Sequence, residues 1–250
     1  MSTQRSAVEQ FGPSAADYAT GSYHAAGPDL QPMLAAGEIQ GHERVLDIGC
    51  GPGHTALLFA SRAREVVALD PTQEMLDQAT ALASERGLSN LSVERASAES
   101  IPFPDASFDC VTSRQSAHHY PDVRAALREV ARVLRPGGRF VLIDTFSPEE
   151  QHSDAFLNRI ELLRDSSHIR DYRVSEWRQM FCEVGFALRD LEHWDIPLDF
   201  DEWVQRSRTP EPEVSELRRC FADATQDVRD RLHVDGCNWS VPVGLVVGDS

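Results

Sequence analysis

Cysteines are few and unpaired in this sequence: Cys50, Cys110, Cys182, Cys220 and Cys237 are scattered, an odd number with no Cys-x-x-Cys among them. That usage offers neither a zinc framework nor a disulfide scaffold. It suits reduced thiols in a cytoplasm, serving as small buried apolar residues, and no metal site is expected. Positive charge is scarce too, with 24 Lys and Arg against 40 Asp and Glu, a net charge of -16 and a pI near 4.9. Proteins that neutralise phosphates carry the opposite balance, so nucleic acid is not an expected partner. The stretch Met1 to Gln10 has no apolar core of signal-peptide length, and no later run approaches the roughly 20 residues that span a bilayer. A soluble, cytoplasmic protein without a membrane partner is the expectation. Internal repeats and low-complexity tracts are also missing.

What the chain has is a long alternation of apolar runs with helical patterns. At 250 residues it can bury a full core, and the unbroken alternation argues for one domain. Short apolar or β-branched runs at 44–48, 65–70, 91–95, 108–113 and 138–145 read as strands, and each gap leaves room for a crossover helix. Such an order implies an α/β fold with a parallel, doubly wound sheet and helices on both faces. Met75, Leu76, Ala79 and Leu82 share a helix face over 72–86, and Val123, Leu127, Val130 and Leu134 do so over 122–134. Residues 1–43 read as one or two helices ahead of the sheet, with Pro28 in the first turn of a helix over Leu30 to Ile39. Beyond Asp144 the reading is a helix from Ser147-Pro148 to Arg164, another from Ser175 to Cys182, and a strand from Phe186 to Trp194. A charged helical stretch over 199–233, broken at Pro210 and Pro212, and a strand over Ser240 to Val247 complete the chain.

The most specific stretch runs from Val45 to Ala60, a buried strand entering a helix through Gly49, Gly51 and Gly53, with Asp47 two residues ahead of the first glycine. Glycines there let the backbone approach a ligand closely. Dinucleotide sites set such a turn against an anionic pyrophosphate and keep their acid about 20 residues away. Asp47 would repel a pyrophosphate. A nucleoside cofactor with a positively charged amino acid end fits better, and that cofactor is S-adenosylmethionine. Asp70 closes the second strand 17 residues after Gly53, where a carboxylate accepts both ribose hydroxyls or caps the next helix. The fourth strand ends in Thr112-Ser113-Arg114-Gln115-Ser116-Ala117-His118-His119-Tyr120, at the sheet edge where open α/β folds bind ligands.

Four stretches, Asp47 to Gly53, Val66 to Asp70, Ile101 to Asp109 and Arg132 to Gly138, follow one another in an order and spacing that resembles the class I S-adenosylmethionine-dependent methyltransferases. Within them the chain is similar to the small-molecule group of the ubiquinone and menaquinone C-methyltransferases and uncharacterised bacterial relatives. The resemblance implies a Rossmann-like sheet of seven strands, the last antiparallel. It also implies an N-terminal helical lid over 1–43, a cofactor-binding core over 44–145, and substrate-side helices with the last two strands over 146–250. Asp47, Gly49, Cys50, Gly51, Gly53, Asp70 and Pro71 would hold S-adenosylmethionine. Relatives place an acid before the alanine matching Ala98 to read the adenine amino group. Here that residue is Ser97, so the Ser97 hydroxyl, the Ala98 backbone or Glu99 would take the part. Arg114 lies where relatives touch the methionine portion through the backbone, leaving its guanidinium for a substrate carboxylate or for a nearby acid.

Methyl transfer from a sulfonium needs alignment, exclusion of water and, when the nucleophile carries a proton, a base. His119 is the first candidate because histidine titrates near neutral pH. In a helical turn His118 would point about 100° away, so only one of the pair should address the acceptor. Tyr18, Tyr23 and His24 in the lid would cover the methyl group or simply pack against the sheet. His168 and Arg170, in a polar stretch between helices, would select the acceptor or stand solvated in a loop. A small-molecule methyl acceptor is the expected partner, with a homodimer left open. Two other classes were weighed: a protein that binds the cofactor without transferring methyl, as a cyclase or sensor, and a nicotinamide oxidoreductase, which conflicts with Asp47. An arsenite-type methyltransferase would need paired thiols.

Overall fold

The computed structural model describes residues 5–20, Ala25 and 27–250. Its strands are β1 (Arg44–Ile48), β2 (Glu65–Asp70), β3 (Leu91–Arg95), β4 (Phe108–Arg114), β5 (Leu134–Ser147), β6 (Tyr172–Arg173), β7 (Ala187–Leu198) and β8 (Trp239–Asp249). Alternate residues of the central strands enter opposite cores. Val45, Val66, Ala68, Cys110 and Val141 join one buried cluster, while Leu46, Val67, Leu69, Val111 and Leu142 join the other. A strand with apolar residues on both sides must be covered on both sides, which is why these runs read as mostly apolar rather than alternating.

The order across the sheet is β3-β2-β1-β4-β5-β8-β7, with β8 antiparallel to both neighbours. Seven strands with a final antiparallel one match the expected class. The addition is β6, a two-residue strand pairing with the end of β5 through Phe146 and Tyr172, too short to carry a periodic signal. Helices Gln73–Glu85 and Val123–Val133 fall where the periodicity placed them; Gln151–Arg164 and Val174–Glu183 also form, but Ser147 ends β5 and Glu150, rather than Ser147-Pro148, precedes the first of these. Pro28 does not open a helical turn: the helix is Leu30–Gly37, and Asp29 before it gives its carboxylate to Arg114 rather than to the helix end. Among the described residues no helix is long and apolar enough to cross a membrane. Strand order reverses between β1 and β4, so the carboxyl ends of those two strands frame the crevice where ligands of such sheets bind.

Candidate active site

The chain leaves β1 through Gly49, Gly51 and Gly53, all at positive φ, and enters the helix His54–Ala60. A Cβ on Gly49 would stand 2.7 Å from the Ser116 hydroxyl oxygen, so glycine is required where the turn passes the end of β4. Gly53 has a different duty. Its Cβ would lie 2.8 Å from that of Ala79, and it does not border the cavity. Gly53 is instead required by its left-handed backbone and by the close packing of two helices.

Asp70 closes β2 and spans the glycine turn. One carboxylate oxygen accepts the Gly51 N–H at 2.9 Å and the other the Thr72 N–H at 2.8 Å. Burial pushes its carboxyl up, and those two donors oppose the shift. Asp47 lies deeper, 1% exposed. Its Oδ1 accepts the Thr112 hydroxyl at 2.7 Å, while its Oδ2 is buried without a partner. Burial raises Asp47 to about 7 against the pull of Thr112. An orphaned carboxylate oxygen beneath a turn that excludes side chains fits the cationic amino acid end of S-adenosylmethionine.

One cavity of about 370 Å³ starts at this turn. Gly49, Cys50, Gly51, Asp70 and Pro71 border it, with Ser97, Ala98 and Glu99 farther along the same wall. Tyr18, His118, His119, His168 and Asp171 border it as well. The described part of the N-terminal segment crosses it: the Phe11 ring meets His119 edge-on at 4.9 Å, and the Tyr18 carbonyl oxygen is 3.2 Å from His54 Nε2. Tyr23 and His24 lie outside the described residues.

His118 and His119 form a single 3-10 turn, Ala117–His119. Contrary to the expected divergence, both rings border the cavity, with centroids 4.2 Å apart. They differ in partner. His118 Nδ1 lies 2.5 Å from Asp144 on β5. Burial alone would depress this imidazole, but the Asp144 carboxylate outweighs it and raises His118 to about 9. His119 Nδ1 is 3.2 Å from the Ser167 carbonyl oxygen and 3.2 Å from its hydroxyl. A carbonyl only accepts, so Nδ1 of His119 carries the hydrogen and Nε2 keeps the lone pair. Burial and the neighbouring His118 lower His119 to about 4. Burial with both neighbouring histidines also holds His168 far below its ordinary value.

Of the two uses expected for Arg114, a substrate carboxylate or a nearby acid, the structure shows the acid, whereas Arg170 meets neither of its expected roles. The Arg114 side chain is 5% exposed, and its Nε and terminal nitrogen donate to the two oxygens of Asp29 at 2.6 and 2.8 Å. That guanidinium anchors the segment before helix Leu30–Gly37 instead of reaching for a substrate. Arg170 does not border the cavity. It donates to Asp154 at 3.2 Å and to Glu176 at 2.9 Å, acids that helices Gln151–Arg164 and Val174–Glu183 present on that side. Sequence reasoning missed Asp29, Thr112, Asp144 and Asp171. Only Asp144 had a readable signal, an acid at the carboxyl end of an apolar strand.

Residues 46–142 match the family model described as a methyltransferase domain. The uncharacterized methyltransferase YcgJ of Bacillus subtilis (strain 168) is 41% identical over 220 residues, covering 88% of this chain and 87% of that protein. Its crystal structure superposes with a TM-score of 0.86 at 38% identity, covering 88% of this chain and 97% of that one. A demethylmenaquinone methyltransferase of Listeria monocytogenes serotype 4a (strain HCC23) is 29% identical over 177 residues, covering 62% of this chain and 75% of that protein.

Proposed function

This chain belongs to the class I S-adenosylmethionine-dependent methyltransferases, and we propose that it methylates an oxygen, nitrogen or carbon atom of a small metabolite held against His119. The observation that supports this most is continuity: one cavity borders both the glycine turn with Asp70 and the ring of His119. Its volume of about 370 Å³ suits a small molecule, and a net charge of -16 disfavours a polyanion.

Asp47, Gly49, Cys50, Gly51, Asp70 and Pro71 hold the cofactor's amino acid and ribose portions in this reading, with Ser97 and Ala98 at the adenine and the Arg114 backbone at the methionine portion. Bound S-adenosylmethionine supplies a methyl group on a positively charged sulfur, an electrophile that needs no further activation. The protein's work is then alignment, dryness and proton removal. His119 takes the acceptor's proton on Nε2, the nitrogen left with a lone pair by the hydrogen bonds to Ser167. Of the expected lid over 1–43, residues 5–18 serve as the cover, Phe11 and Tyr18 excluding water from that side, while helix Leu30–Gly37 packs into the core; His168 helps to shape the acceptor end.

Isothermal titration with S-adenosylmethionine and S-adenosylhomocysteine on the wild type, Asp70→Ala and His119→Ala tests the assignment. Binding should be lost in Asp70→Ala and kept in His119→Ala. A metabolite panel should then yield S-adenosylhomocysteine with the wild type and at least about a hundredfold less with His119→Ala. A wild type that binds neither compound overturns the cofactor site. Binding without turnover across the panel favours a protein that uses the cofactor without transferring methyl.

A further inference from the structure

Two buried carboxylate oxygens lack a hydrogen-bond partner among the described residues, Asp47 Oδ2 and Asp171 Oδ2. The first lies under the glycine turn and answers to the cofactor. The second belongs to Asp171, which borders the cavity and is 1% exposed. Other acids nearby are matched: Asp154 by Arg170 and Arg173, Glu161 by Arg164, and Asp165 by the Ser167 N–H and hydroxyl. A buried carboxylate with no donor is costly, and native structures supply it with a partner.

The surroundings indicate which partner. His118, Asp144 and Asp171 offer ligand atoms that all lie within 4.8 Å of one another. His168 Nε2 is 3.8 Å from the orphaned Asp171 oxygen. We propose that this part of the cavity binds a divalent first-row transition ion, held by Asp171 and His118, with His168 as a further nitrogen donor and Asp144 orienting His118. Mixed imidazole and carboxylate donors suit zinc, cobalt or manganese, whereas calcium and magnesium favour all-oxygen sets. An organic ammonium would be served by the carboxylate but gain nothing from the imidazoles.

The role of Asp144 follows from distance. Its oxygen lies 2.5 Å from His118 Nδ1, closer than two atoms ligating one ion at about 2.0–2.2 Å normally approach. Asp144 therefore accepts the Nδ1–H, as carboxylates behind ligating histidines do, and leaves Nε2 for the ion. Asp144 is itself fixed by the N–H groups of His118 and Thr145 at 3.2 and 2.8 Å. Thiols play no part: among the five cysteines only Cys50 borders the cavity, at the glycine turn.

The test uses the full chain, stripped with a chelator and titrated with cobalt(II) and zinc(II) by calorimetry and visible absorption, with no methyl acceptor present. One ion per chain should bind, with the cobalt spectrum of nitrogen and oxygen ligation. Asp171→Asn, an isosteric change, should weaken binding at least about tenfold, as should His118→Gln, and Asp144→Asn by about 10–100-fold. Circular dichroism verifies that each variant is folded. Absence of stoichiometric uptake by the wild type, unchanged affinity in Asp171→Asn, or a thiolate-to-cobalt band each overturns the site. Because metal uptake is read without turnover, its failure is separate from failure of the methyl-transfer reading.

Discussion

Asp47 shows how one buried carboxyl couples folding to ligand binding. Its folded value of about 7 lies above the ordinary 3.8, so the folded chain keeps a proton that the unfolded chain has already released. Stability then falls as pH rises between those two values, since more protons are bound in the native state. Ligand-free Asp47→Asn should therefore gain on the wild type in melting temperature as the buffer moves from pH 5 to pH 7. A constant difference between the two proteins would refute the shift. In the proposed reading the same carboxyl is ionised when it attracts the cofactor's ammonium group. Affinity for S-adenosylmethionine should rise roughly tenfold between pH 6 and pH 8 in the wild type and stay nearly flat in Asp47→Asn, measured by calorimetry. Asp47 and Gly49 were legible as a pair because an acid two residues before a glycine turn is a local pattern. Asp171 was not, since what marks it is a partner missing in three dimensions.

Elements were legible where burial writes a pattern and obscure where a single distant contact decides. The central strands are buried on both faces, so β1, β2, β4 and β5 appear as short apolar or β-branched runs. By contrast, β6 is defined by two distant pairs, Tyr172 with Phe146 and Arg173 with Ser147. Ion pairs between elements belong to the second kind. The chain has no lysine, and all 24 of its basic residues are arginine, whose planar fork grips a carboxylate at two points. Arg114 and Asp29 make such a grip across 85 residues, with side chains 5% and 1% exposed. Removing one partner of a buried pair strands the other charge, so Asp29→Ala should cost about 3 kcal/mol in urea unfolding. Arg208 and Asp17 are also joined, but their side chains are 58% and 68% exposed. Arg208→Ala should accordingly cost less than about 1 kcal/mol. Comparable losses from the two variants would mean that the Arg114 pair is not what joins helix Leu30–Gly37 to the end of β4.

Across the whole molecule, stability is unevenly spread. The sheet is buried between two apolar clusters, yet over residues 5–19 only Ser14 and Ala15 are buried. The N-terminal cover is tied down by a few polar contacts, such as Gln10 Nε2 to the Ser207 carbonyl oxygen at 3.2 Å and Arg208 to Asp17 at 2.6 Å. Segments with few buried apolar contacts open at low free energy, whereas central strands exchange only when the molecule unfolds. A ligand in the cavity adds apolar contact under Phe11 and Tyr18, which border it, and contact made only in the closed form shifts the population toward closure. Amides of residues 7–20 should therefore exchange quickly in the ligand-free protein and slow on saturation with S-adenosylhomocysteine. Those of β1, β4 and β5 should be protected in both states. Equal and strong protection of residues 7–20 with and without ligand would make the segment a fixed wall. Phe11→Ala would then leave the on-rate of ligands unchanged.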